Sequence, residues 1–425
     1  MTNVQIFSLV LLAVAFMIAI WRHTNVGLVM LPAAYLLAEV AHTPLQTLYS
    51  GFPTSLVILV LGVMYLFGHT VRSGGMDRLI RGGERAVGKR DWLLPWMAFI
   101  LAAAISAIGA LPAASLAIVV PIAMQAARRR QVNSMLMGVV TILGALAGGF
   151  SPISVWALLI QRLGKSAGVD VPMYSLFAVE FGLIFGLAVV AFFAFRGWSL
   201  IRRGGSQGAE QVGDTTGSMP VSNIRGGASA SRYEIGSLTA LAVFVVSVLA
   251  FGLDVGLTAF ALGMILHLVF RPDEKEVIRS LPWSVVLIIA GVLTYVDLLL
   301  SIGTFKAVSD HLQGIGSVGL SILALAYFAS VFASFESSSV AVLGLVIPVV
   351  LAVEKGLAPG ALFLVIAAVA FSTVTVSTSP FHLSGALVMG NAADAAEGDV
   401  LFRKLLYWTI GIVMVIPLVG WAIAV

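Results

Sequence analysis

The sequence predicts an all-helical membrane protein built from two related halves that enter the bilayer in opposite senses. Three observations carry that expectation. Of 425 residues, 60% are hydrophobic and only 10% charged, with a mean hydropathy of +1.04, whereas a soluble domain carries about 25% charged residues. The apolar residues gather into windows long enough to cross hydrocarbon. Short sequence features then recur about half a chain apart.

The windows fall at about 4–20, 25–41, 54–70, 133–160 and 173–195 in the first half. In the second half they fall at about 235–252, 256–270, 282–298, 359–390 and 405–424. Between the third and fourth window of each half lie two apolar arms with a very short tip, about 92–127 and 317–353. Each pair reads as a re-entrant helical hairpin. Five crossings plus a hairpin make an odd number of passes, so the second half enters the membrane inverted. The expected units are 1–198 (first inverted repeat), 199–234 (linker) and 235–425 (second inverted repeat).

Charge fixes the orientation. All but four of the 24 basic residues (Arg162, Lys165, Lys306 and Lys355) fall on one side of this layout, which makes that side cytoplasmic and both termini extracytoplasmic. The first apolar run follows MTNVQ, without the positive charge a signal peptide carries, so it reads as a retained helix. A bacterial cytoplasmic membrane is the expected location. The basic run Arg72–Arg90 reads as an amphipathic helix on anionic lipid, and nucleic acid is not needed to explain the basic pI near 9.4. The Gly- and Ser-rich stretch from Ser199 to Arg232 reads as a flexible cytoplasmic linker. The absence of cysteine excludes disulfides, thiolate metal sites and thiol catalysis.

Two windows are broken. Phe371–Asn391 carries Ser372, Thr373, Thr375 and Ser377, then Thr378-Ser379-Pro380-Phe381-His382 and Ser384, before apolar sequence resumes. Proline removes a backbone donor and opposes the carbonyl one turn earlier. In hydrocarbon the freed groups are tolerated only where protein, water or a solute satisfies them. Thr141–Trp156 is a weaker copy: Pro380 follows Pro152 by 228 residues (380 − 152), which aligns Ser151 with Ser379 and Ser154 with His382. Gly62 with Gly291, Gly74 with Gly303, and Pro121 with Pro348 extend the repeat. The second hairpin tip, Phe335-Glu336-Ser337-Ser338-Ser339, places a carboxylate and three hydroxyls between apolar arms, a functional site by default. Helix starts beside such tips suit an anionic ligand. The first tip, Gly109–Ser115, is less polar.

The pattern resembles the ion transporter superfamily, specifically the divalent anion/sodium symporters and the MatC-type malonate/dicarboxylate carriers. The symporters' Ser-Asn-Thr tip, about ten residues before a Pro, falls on Ser338-Ser339-Val340 and on Leu111-Pro112-Ala113. Their Thr-Pro-Pro-Asn-like break falls on Ser151-Pro152-Ile153-Ser154 and on Ser379-Pro380-Phe381-His382. The Ser-Pro-Phe-x-x-Ser-Gly-Ala wording of the latter is similar to the MatC-type carriers. The resemblance implies an elevator-type homodimer carrying a small organic anion such as malonate or succinate. It implies substrate contacts from Ser151, Pro152, Ser154, Ser337, Ser338, Ser339, Thr378, Ser379, Pro380, His382 and Ser384. Both tip asparagines are absent here, so coupling stays open between Na⁺ on backbone carbonyls and H⁺ through Glu336 or His382. Gly149, Ser338 and Ser377 are the other coupling candidates. No further cofactor or metal is expected.

Three other readings share this layout. One is the large membrane subunit of a binding-protein-dependent (TRAP-type) carboxylate transporter, and another is a cation/proton antiporter. The third, an intramembrane hydrolase pairing Ser379 or Ser384 with His382, lacks an acid on the same span to orient the base, so no catalytic residue is expected. Glu180 and Asp297 read as packing or interfacial groups.

Overall fold

Helices interrupted at matched places position everything that follows. The computed structural model describes residues 1–22, 24–76, 78, 82, 87–88, 90–202, 231–305, 307, 318–335, 338–353 and 357–424. Among these, every regular element is helical.

The first half runs α1 (Asn3–Arg22), α2 (Val26–Val40), a short α3 (Leu45–Ser50), α4 (Thr54–Arg72), α5 (Leu94–Ala107), α6 (Pro112–Arg129), α7 (Ser134–Gly148), α8 (Val155–Ser166), α9 (Met173–Ala194) and a short α10 (Trp198–Arg202). The second runs α11 (Arg232–Phe251), α12 (Val255–Phe270), a short α13 (Glu274–Ser280), α14 (Trp283–Ser301), α15 (Val318–Phe335), α16 (Ser339–Val353), α17 (Pro359–Thr375), α18 (Leu383–Gly390) and α19 (Ala395–Ala424). Six described stretches are long and apolar enough to cross a bilayer: Leu45–Arg72, Met173–Ala194, Arg232–Phe251, Trp283–Ser301, Gly360–Gly390 and Ala395–Ala424. The other apolar helices are shorter, and several of those end at a tip or a break.

Local chemistry explains the boundaries. Asn25 caps α2 by accepting from the Gly27 amide at 2.9 Å, and Asp254 caps α12 from Leu257 at 2.8 Å. Pro53 and Pro282 open α4 and α14 with nearly identical backbone angles, φ −80°, ψ 59° and φ −80°, ψ 62°. Gly74 and Gly303 follow those helices in left-handed conformation, at φ +82° and +74°, which a side chain would resist. The last window is longer than hydropathy indicates: α19 begins at Ala395, ten residues before the expected start. Glu397, Asp399, Arg403 and Lys404 hide its first turns from a hydropathy window while leaving helix propensity intact.

The sequence does not announce how the halves interlock. α2 packs along α14 and α12 along α4, so each pairing crosses from one half to the other. Glycines let the backbones touch. A Cβ at Gly27 would lie 1.9 Å from the Leu287 carbonyl oxygen, and one at Gly291 would lie 2.2 Å from that of Gly27. At the other crossing, a Cβ on Gly62 would lie 2.2 Å from the Gly256 oxygen. Where lipid removes the hydrophobic drive between helices, such close small-residue contact is what holds them. Outward faces stay apolar, with Trp21, Val190, Phe193, Leu257, Leu268 and Met414 exposed.

Two sequence expectations meet the limits of the described residues. Of the run Arg72–Arg90, Arg72 ends α4 and pairs with Glu276 at 2.7 Å, and Arg78 pairs with Glu234; Arg81, Arg85 and Lys89 lie outside the described residues. Ser199–Arg202 belong to α10, Ser231 caps α11 in a capping box with Glu234, and residues 203–230 lie outside.

Candidate functional site

Both broken windows are broken in the structure, and they break in the same way. In the first, α7 ends at Gly148 and the chain turns through Gly149–Ser154 into α8. The Ser151 amide donates to the Gly148 carbonyl at 3.0 Å, and the Ser154 amide to that of Ser151 at 2.9 Å. In the second, α17 passes through a 3-10 turn, Val376–Thr378, and then Ser379–His382 into α18. The Ser379 amide donates to Val376 at 2.9 Å and the His382 amide to Ser379 at 3.1 Å. Donors and acceptors correspond at the 228-residue spacing that aligns the two prolines.

The residue closing each turn caps the following helix. Ser154 (φ −86°, ψ 157°) accepts from the Ala157 amide at 3.5 Å. His382 (φ −83°, ψ 151°) accepts at Nδ1 from the Ser384 amide at 3.2 Å. An imidazole accepting at Nδ1 and neutral carries its proton on Nε2. That Nε2 is buried and has no partner among the described residues. The arrangement therefore leaves a neutral donor inside the protein, available to a ligand.

Three of the hydroxyls foreseen as ligands, Ser151, Ser154 and Thr378, donate to the backbone instead, as do others leading into the second break. Ser372, Thr373 and Thr375 each bond the carbonyl four residues back, at 2.7, 2.7 and 2.8 Å, and Thr378 bonds that of Thr375 at 3.0 Å. Ser151 donates to Ala107 at the end of the first hairpin's leading arm, and Ser154 donates to Gly149. Ser379 Oγ accepts from the Phe381 amide at 3.2 Å. These serines and threonines chiefly hold the breaks in shape; those that donate keep only acceptor capacity, whereas Ser379 keeps its proton.

Each break is tied to the hairpin of its own half. At the first tip, Gly109 has φ +108°, and a Cβ there would lie 3.1 Å from Val63 and 3.3 Å from the Ile153 oxygen. Only glycine allows so tight a reversal against the break. Ser115 donates across the hairpin to Ala102 at 2.9 Å. In the second half, Ser339 and Ser377 hydroxyls lie 3.2 Å apart, and Ser330 donates to the Ser372 carbonyl at 2.9 Å. Ser338 Oγ accepts weakly from Ala341 at 3.4 Å. Glu336 and Ser337 lie outside the described residues.

The two assemblies also meet. α8 packs on α16 and α18 on α6, so the second piece of each broken window lies against the other half's hairpin. The 3-10 turn of the second break packs on α7. Among the described residues no hydrogen bond joins Ser151 or Ser154 to Ser379, His382 or Ser384. A cavity of about 260 Å³ touches the second break, lined by Ser334, Ser379 and Phe381 with Thr409, Ile410 and Val413 of α19. Sequence reasoning missed Gly385. A Cβ there would lie 2.1 Å from the Ser379 carbonyl oxygen and 3.0 Å from Pro380 Cα, so glycine lets α18 start directly against the break. Its signal was the glycine following Ser384 in a helix otherwise free to carry larger residues.

With this geometry in hand, comparisons with known proteins agree. Residues 1–149 match the family model described as the dicarboxylate carrier protein MatC N-terminus. No curated protein matches the chain. The YdaH transporter of Alcanivorax borkumensis, whose crystal structure is described as revealing an unusual topology, is similar over 91% of this chain and 88% of its own, with a TM-score of 0.59 and 12% identity. At that identity the likeness is one of fold.

Proposed function

We propose that the chain is an integral membrane carrier, not an enzyme, that moves a small dicarboxylate such as malonate or succinate across a bacterial cytoplasmic membrane, a reading supported by the MatC-type match of residues 1–149 and the transporter-like fold. The transport is secondary and coupled to a cation, Na⁺ or H⁺. The carrying observation is the pair of breaks, each ending in a neutral cap before a helix start, with His382 Nε2 in the second lacking a partner among the described residues.

No Lys or Arg lies between Gly149 and Ser154 or between Val376 and Ser384. Recognition of a dianion then falls to backbone amides at helix starts, whose aligned dipoles supply a partial positive charge. α8 and α18 begin at the breaks, and α6 and α16 begin at the tips. Substrate contacts are assigned to Ser338, Ser339, Ser379, His382 and Ser384, while Ser151 and Ser154, whose protons go to the backbone, hold the first break in shape.

The halves act as inverted repeats. Supporting this are the matched spans of α1 and α11, α2 and α12, and α4 and α14, each displaced by 229 residues (232 − 3, 255 − 26 and 283 − 54), and the matched turn hydrogen bonds. Hairpins and breaks form a moving unit against a scaffold whose glycine crossings tie α2 to α14 and α4 to α12, in a homodimer with both termini extracytoplasmic. Counterflow of radiolabelled malonate and succinate in proteoliposomes tests the proposal. Exchange of at least one dicarboxylate is expected, and exchange of no carboxylate would defeat it.

A further inference from the structure

Glu180 lies in the middle of α9, whose other residues are almost all apolar. It is completely buried, and neither carboxyl oxygen has a partner among the described residues. An uncompensated buried carboxylate costs several kcal/mol, a cost that an apolar packing side chain would avoid. Intramembrane carboxyls that persist in such surroundings mark ion or proton pathways.

The placement of α9 matters as much as the burial. It packs on α7, which runs into the first break, and on α17, which runs into the second. Its aromatic residues also meet α5, with Phe181 and Phe185 against Phe99 at 6.0 and 5.7 Å between ring centres. α5, α7 and α17 contain no Asp, Glu, His, Lys, Arg or Tyr. α8, which also touches α9, carries Arg162 and Lys165. Arg162 donates to Ser55 at 3.0 Å, and Lys165 is exposed. Among the described residues no basic group is placed to neutralise Glu180.

The other half supplies a comparison. Thr409 stands on α19, 229 residues after Glu180 (409 − 180), and it too is buried, its oxygen without a partner among the described residues. α19 packs on α17 as α9 packs on α7. The repeated position accepts a hydroxyl, so packing alone does not demand a carboxyl at Glu180.

We propose that Glu180 takes up and releases the coupling proton, buried in its neutral form beside both broken windows and losing its proton to water when the moving unit changes side. This rests on the carrier reading above and assigns the coupling ion it leaves open. In balance, one proton joins the carboxylate on one side of the membrane and leaves the carboxylic acid on the other.

The test uses the full chain in proteoliposomes. Wild type should accumulate dicarboxylate under a pH gradient without Na⁺. Glu180→Gln, a permanently neutral isostere, should keep counterflow exchange but lose pH-driven accumulation, and Glu180→Asp should regain it. Accumulation by Glu180→Gln at the wild-type level would overturn the proposal. So would wild-type accumulation driven by Na⁺ alone, with the carrier reading left standing. Absence of counterflow in wild type would instead sink the carrier reading itself. Should Glu180→Gln fail to fold, dicyclohexylcarbodiimide decides on wild type. This apolar reagent adds to protonated carboxyls. Labelling of Glu180 by mass spectrometry that fades as pH rises is expected, and labelling that is absent or independent of pH would overturn the assignment.

Discussion

Replacing Gly385 with alanine tests whether the second break is held in one shape for a purpose. The added Cβ would lie 2.1 Å from the Ser379 carbonyl oxygen, whereas carbon–oxygen contacts settle at roughly 3.3–3.6 Å. The obstacle is backbone, so no side chain can rotate aside, and either α18 or Ser379-Pro380 must move by about 1 Å. Overpacking of this kind costs about 1–3 kcal/mol. If the movement falls on Ser379 and His382, binding loses a comparable amount, on the order of a 5- to 150-fold rise in Kd. Gly390→Ala is the control, since no described residue lies within 4 Å of a Cβ there. Thermal-shift titration of both variants with malonate or succinate measures the effect. Gly385→Ala binding with wild-type affinity would refute the argument that this turn shapes the site.

The remaining predictions address the cap, the tip and the scaffold. His382→Asn keeps a good helix cap but removes the Nε2 donor, so dicarboxylate affinity should fall while melting temperature stays close to wild type; equal losses in both would assign His382 to structure alone. Ser339→Ala and Ser377→Ala, whose hydroxyls are 3.2 Å apart, should each destabilise by about 1 kcal/mol. The double variant should cost less than their sum in a chemical-denaturation cycle, and strict additivity would deny the bond. Gly291→Ala, with its Cβ 2.2 Å from the Gly27 oxygen, should lower thermal stability in detergent more than Gly411→Ala, where no neighbour lies within 4 Å; equal stability would undo the account of the α2–α14 crossing.

Much of this architecture was legible because a bilayer imposes its length on the chain. Apolar windows located α1, α2, α4, α9, α11, α12 and α14 closely, and Ser-Pro pairs at matched positions located both breaks. What stayed hidden has identifiable causes. α3 and α13 are too short for a hydropathy window. The partners of Gly27 and Gly62 lie in the opposite half, so no local pattern reveals them. Serines 151 and 154 read as ligands because sequence cannot show that carbonyls left by the breaks take their protons. Glu180 read as packing because α9 is apolar on all sides, so the pattern does not tell which face turns inward; only packing on α7 and α17 made its isolation visible.

The choice of caps carries the electrostatic argument one step further. α12 and α13 start at Asp254 and Asp273, carboxylates that accept from helix amides at 2.8 Å and offset the positive end of the helix with a full negative charge. The helices at the breaks start at Ser154 and His382, which satisfy an amide without adding charge. An aspartate at either place would cap as well or better yet would cancel the potential a dianion needs and repel it directly. The two breaks thus share one turn and both carry an uncharged cap where the backbone opens. Ser154→Asp and its neutral isostere Ser154→Asn both lose the bond to Gly149, so dicarboxylate affinity should fall much further in the aspartate variant than in the asparagine one. A Ser154→Asp protein that binds as Ser154→Asn does would remove helix starts as the source of anion recognition.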